Sequence, residues 1–218
     1  MIKKVAFFVF VLVSLFDIVG VLFKVPDLIF IFKPFILLSL LFLYSSSVLV
    51  RNKWYVIALI FSFFGDVFLL YSGQSLFIMG LVSFLLAHFI FISIVLKRIQ
   101  KTSFLKIISS VIPFLVVFIL LIFGLKESLN EMLLPVIIYG LTISTFGIVS
   151  LVDFQNRKSQ KSLFMLLGAM VFMISDSVLA INKFYNASHL FEIIIMSTYI
   201  AAQYLIFRSM VLEENGKN

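Results

Sequence analysis

The chain has 218 residues, 63% hydrophobic and 12% charged, with a mean hydropathy of +1.22. A water-soluble domain of this size needs far more charge on its outside, so the composition excludes that class and points to lipid, where a helix satisfies its own backbone and can be apolar all round. The net charge of +7 does not indicate nucleic acid, because the Lys and Arg residues sit in short gaps between apolar runs and form no basic block.

A stretch of about 20 apolar residues is long enough to cross a bilayer. Eight such stretches follow one another, at 5–23, 28–50, 54–71, 76–96, 104–125, 132–152, 163–181 and 190–210. Lys3 and Lys4 ahead of the first run resemble the start of a signal peptide. That run continues to Phe23 without a small-x-small cleavage site, so it is read as a retained helix. The gaps hold turn and charge residues, such as Lys24-Val25-Pro26-Asp27, Arg51-Asn52-Lys53 and Ser72-Gly73-Gln74-Ser75. Such short connections make neighbouring helices antiparallel, and Pro113 predicts a kink in the fifth span. The expected fold is all-α: a single integral membrane domain over 1–218, built as a bundle of eight transmembrane helices.

Basic residues orient such a bundle, since cytoplasmic loops carry an excess of Lys and Arg. With the N-terminus inside, the inner segments hold Lys3, Lys4, Arg51, Lys53, Lys97, Arg98, Lys101, Lys106, Arg157, Lys158, Lys161, Arg208 and Lys217, which is 13 of the 17. Lys24, Lys33, Lys126 and Lys183 remain outside. Both termini are therefore predicted to be cytoplasmic. The small size and lack of extra domains suggest a bacterial plasma (inner) membrane.

Ionisable groups within the spans carry the functional information, because a charge near the bilayer centre costs at least about 2.5–3.5 kcal/mol and turns toward the bundle interior. These groups are Asp17, Asp66, His88 and Asp176, with Glu192 near the mouth of the last span. Asp66 and Asp176 both fall in the outer halves of helices that run outward, so they can share a depth and face one another. Gly65 and the serines Ser175 and Ser177 are small, permit close helix approach and offer hydroxyl partners. The functional reading is a carboxylate pair in an outward-opening cavity; the structural alternative is two aspartates each tied to a hydroxyl or amide. Lys33-Pro34 and Asn182-Lys183 lie at outer helix ends, where lysines either bind an anionic head group or simply snorkel. His88 is either a proton shuttle or a hydrogen-bonded structural residue. Asp17 has Ser14 one turn back and is expected to pair with it. Cysteine is absent and the only other histidine, His189, sits in a loop, so neither disulfides nor a metal site are expected.

The Asp66 and Asp176 segments resemble each other, each with a small residue, Asp and a Leu three positions on (Leu69, Leu179). Pro34 and Pro135 add a second echo. Together they suggest two parallel four-helix halves.

An ordered set of fragments resembles the YhhN-like family of membrane proteins, whose characterised animal members are lysoplasmalogenases. The set comprises Lys33-Pro34, Gly65-Asp66, Ala87-His88, Tyr139, Ser175-Asp176, Asn182-Lys183-Phe184, and Ala202-Gln203 with Leu205-Ile206. The resemblance implies hydrolysis of the vinyl ether bond of a lysoplasmalogen, giving a fatty aldehyde and a glycerophospho-alcohol, with Asp66 and Asp176 as the catalytic pair. In that scheme His88, Tyr139 and Ser175 support the pair or relay protons, and Lys33, Asn182, Lys183 and Gln203 hold the head group. Lipid substrate and bilayer are the implied partners, and no cofactor is required. The rival reading of the same residues is a proton-coupled transporter or lipid flippase. An intramembrane aspartyl protease fits less well, because Phe63 replaces the first glycine of a Gly-x-Gly-Asp signature.

Overall fold

The computed structural model describes residues 1–216, so Lys217 of the charge count lies outside the described residues. Their regular structure is helical throughout. In chain order the helices are α1 (Ile2–Leu22), α2 (Pro26–Ser45), α3 (Lys53–Leu69), α4 (Gln74–Leu96), α5 (Phe104–Leu129), a 3-10 turn (Asn130–Met132), α6 (Leu133–Arg157), α7 (Gln160–Phe184) and α8 (His189–Asn215).

Six helical stretches are long and apolar enough to cross a membrane, which makes this a multi-pass integral membrane protein. Five of them are α1, α2, α4, α7 and α8. The sixth runs without a break from Phe104 to Arg157 and takes in α5, the 3-10 turn and α6. The sequence divides that stretch into two spans, whereas the backbone passes through Asn130 at φ 45 and turns back so that α6 packs along α5. α3 has only 17 residues, at the short limit for a crossing.

One local expectation differs from the structure. The second apolar run continues to Val50, yet α2 stops at Ser45. Three serines follow Tyr44, and the Ser46 hydroxyl donates to the Phe42 carbonyl at 2.8 Å while the Ser47 amide donates back to Tyr44 at 2.9 Å. Serine competes with the helical ladder in this way. α5 continues as helix through Pro113, and the neighbouring Phe114 is one of the few buried residues of that helix.

Consecutive helices pair as hairpins, α1 with α2, α3 with α4, α5 with α6 and, most extensively, α7 with α8. α4 and α7 both pack on α6, which ties the hairpins into one bundle. The end carrying both termini is closed by ions. Glu213 on α8 accepts from Arg157 Nη1 at 3.0 Å and from Lys161 Nζ at 3.2 Å, while Arg157 Nη2 also donates to the fully buried Asp153 at 2.7 Å. Burial pushes the Glu213 carboxyl up, but Arg98, Arg157 and Lys161 outweigh it and hold the group below the usual carboxylate range. Three basic residues that the sequence assigns to separate loops and helix ends therefore meet at Glu213: Arg98 at the end of α4, and Arg157 and Lys161 across the α6–α7 turn.

Candidate active site

The two aspartates do not share a hydrogen bond. Asp66 on α3 accepts from the Tyr199 phenol of α8 at 2.6 Å, and Asp176 on α7 accepts from the Tyr139 phenol of α6 at 2.5 Å. Each carboxylate is thus tied to a hydroxyl, as in the structural alternative, though the hydroxyls come from other helices. Both bonds lie at the short end of the O–H···O range. The partners do not repeat between the suggested halves: Asp66 of α3 pairs with α8, whereas Asp176 of α7 pairs with α6 and not with α4.

Between the two sites stands Phe84. Its ring covers Gly65 so closely that a Cβ there would come within 2.5 Å of it. The same ring meets Phe172 and Tyr199 edge-on, at 6.3 and 5.9 Å between centroids. Asp176 lines a narrow cavity with Tyr139, Phe84, Phe77, Leu179 and Phe184, which has about 40 Å³ of room for water-sized molecules. That is enough for a water or two and far too small for a lipid head group. Asp66 does not line it and is 2% exposed. Tyr199 is the shared neighbour, bonded to Asp66 and within electrostatic reach of Asp176.

The Asp66 side carries further charge. Lys33 on α2 lies within electrostatic reach of both Asp66 and Asp17. Asp17 on α1 is wholly buried, and neither of its oxygens nor the Ser14 hydroxyl has a hydrogen-bond partner. The expected Asp17–Ser14 pairing is therefore not formed: Ser14 lines the groove between α1 and α8, and Asp17 does not line it.

His88 on α4 is also fully buried, its Nδ1 donating to the Phe84 carbonyl at 2.7 Å. A carbonyl can only accept, so Nε2 is left as the lone-pair nitrogen, and it is buried without a partner. The ring is packed edge-on by Phe172 at 4.6 Å, Phe146 at 5.7 Å and Tyr139 at 5.8 Å.

The remaining candidates are dispersed. Ser175 does not serve Asp176; its hydroxyl donates to the Ile195 carbonyl and pins α7 to α8 at 3.0 Å. Gln203 is buried one turn from Tyr199, with its Nε2 at 3.5 Å from the phenol, and so belongs with the Asp66 pair instead of an outer mouth. Asn182 accepts from the Ser188 amide at 2.7 Å and fixes the α7–α8 connection. Lys183 is exposed and rests on the Phe77 ring at 5.2 Å, and Phe77 meets Phe184 edge-on at 5.7 Å. The two phenylalanines line the Asp176 cavity. His189 begins α8, where it bonds Glu192 and the Leu22 carbonyl, each at 3.2 Å. Sequence reading missed Tyr199, although its spacing of four from Gln203 on one helical face was visible.

Fold and site together define a multi-pass helical membrane protein with acids and phenols paired inside its bundle. The chain belongs to the YhhN family, whose family model matches residues 28–210. It is 27% identical over 169 residues to lysoplasmalogenase TMEM86A of Bos taurus, a match covering 71% of this chain and 64% of that protein. The chain thus spans less than two thirds of the relative's length. No solved structure matches it.

Proposed function

We propose that the chain is a membrane-embedded hydrolase of lysophospholipid-like substrates, cleaving the vinyl ether bond of a lysoplasmalogen with Asp176 and Asp66. The observation that carries this reading is the pair of intramembrane carboxylates, each held by a buried phenol, in a chain similar to a lysoplasmalogenase. Intramembrane acids are costly, and the chain retains two in one bundle.

The chemistry starts with proton delivery to the alkene carbon, which leaves an oxocarbenium ion. Water adds to it, loses a proton, and the resulting hemiacetal collapses to a fatty aldehyde and a glycerophospho-alcohol. One carboxyl delivers the proton and a second carboxylate offsets the cation and takes the proton from water, a division of labour like that of glycosidases. Asp176 takes the acid role because it lines the cavity. Asp66 acts from behind Phe84, and its approach to the reacting water requires that ring to swing away from Gly65. Tyr139 and Tyr199 orient the two carboxylates, and His88 backs Tyr139. Lys183 and Lys33 hold the phosphate, while the parting of Phe77 from Phe184 admits it.

In this reading all eight helices cross the bilayer, the termini face the cytoplasm of a bacterial inner membrane, and the cavity opens outward. Purified protein in detergent should release aldehyde from lysoplasmalogen and none from a saturated ether lysolipid. Transport of the intact lipid in sealed vesicles without aldehyde release would instead make the chain a transporter or flippase.

A further inference from the structure

We infer that the chain holds one anionic phospholipid between α1 and α8, with its head group at Lys3, Lys4 and Arg208 and an acyl chain along the groove above them. The head-group end is a pocket of about 570 Å³ lined by those three cations together with Phe7, Tyr204 and Asn215. Among the described residues no Asp or Glu lines it, and none of the three cations forms an ion pair. Arg208 is instead held in place by the Phe164 ring at 5.1 Å and the Tyr204 hydroxyl at 3.5 Å. The pocket therefore presents cations with their charge unanswered by the protein.

Phe7 and Tyr204 also belong to a second depression, of about 390 Å³, that continues between the same two helices. Phe10, Leu15, Ile18, Ile200 and Ala201 line it, and its floor is fixed by the stacking of Phe10 on Tyr204 at 5.9 Å. Cations at one end of an apolar groove match one kind of ligand, an amphiphile with an anionic head and a hydrocarbon tail. A free anion uses only the first half, and a neutral lipid only the second. Juxtamembrane Lys and Arg each add about 1 kcal/mol toward an anionic leaflet. α1 supplies half the site and precedes the residues that the family model matches. The site lies at the end carrying the termini and does not depend on the hydrolase reading.

Native mass spectrometry of the protein in mild detergent, with phosphatidylglycerol and phosphatidylcholine of identical chains, tests the assignment. One phosphatidylglycerol should be retained at least tenfold more tightly than phosphatidylcholine. Lys3→Gln with Lys4→Gln, which disturbs no core contact, should bring that preference down to a few-fold, and Arg208→Gln should lower it about fivefold. Ala201→Trp should weaken both lipids by filling the groove. Glycerophosphoglycerol, the head group without chains, should bind at least tenfold more weakly than the lipid. Equal retention of the two lipids, an unchanged preference in the double variant, or equally tight binding of the bare head group would each overturn the inference.

Discussion

Asp66 and Asp176 are the same acid with the same kind of partner, yet they occupy different surroundings. Asp176 borders space that water can enter and has apolar walls and a phenol around it. Asp66 is sealed behind Phe84, with Lys33 and Asp17 in electrostatic reach and a second polar side chain, Gln203, behind its tyrosine. The lesson is that equivalence in sequence does not fix equivalence in role. A buried carboxylate is defined by which neighbour helix supplies its donor and whether a void lies beside it.

The sharpest way to break that comparison is to neutralise each acid. Asp176→Asn should cut aldehyde release about a thousandfold and Asp66→Asn about a hundredfold, within the range of general acid–base catalysis. Equal losses in a folded protein would erase the distinction drawn here. Removing the phenols sharpens it: Tyr139→Phe and Tyr199→Phe should each cost about tenfold in kcat, the upper end of what one hydrogen bond contributes. Gly65→Ala drives a methyl into the Phe84 ring and should destabilise by about 1–3 kcal/mol, with a few-fold loss of activity, read by melting in detergent and by turnover. Glu213→Gln serves as the distant control. It should lower stability by about 1–2 kcal/mol while leaving turnover per folded molecule unchanged. Because Glu213 is held below its ordinary value of 4.5, its contribution is complete above that pH. It is lost as the pH falls through the lower value the group has when folded, so the wild type and Glu213→Gln should converge in melting temperature under acid.

Much of the molecule was legible because lipid permits so few solutions. Apolar run length, the gap residues and the intramembrane acids already gave an all-helical membrane chain and the residues to inspect. Helix ends were less legible: the run to Val50 is hydrophobic throughout, but the serines after Tyr44 release the backbone before the hydrophobicity stops. The candidate site is legible in its acids and not in its bonds. Asp66 and Asp176 stood out by charge, whereas Tyr199 is an ordinary interfacial-looking residue until α8 is laid beside α3. Ser175 is the opposite case: adjacency in sequence to Asp176 suggests a partner, whereas the helix turns its hydroxyl toward Ile195.

α5 shows few buried side chains, and two of its phenyl rings seat into glycines of α6, Phe118 set against Gly140 and Phe114 against Gly147. Those sockets are seven residues apart and so lie on one stripe, like two hinge pins on a door. At one end that stripe is backed by hydrogen bonds, from Lys106 to Asn156 at 2.8 Å and from Gln155 to Ser109 at 3.4 Å, so α5 is tethered more firmly there than along the rest of its length. Its remaining surface is fitted to hydrocarbon, so a thicker or thinner host membrane should be felt there before it is felt anywhere near the acids.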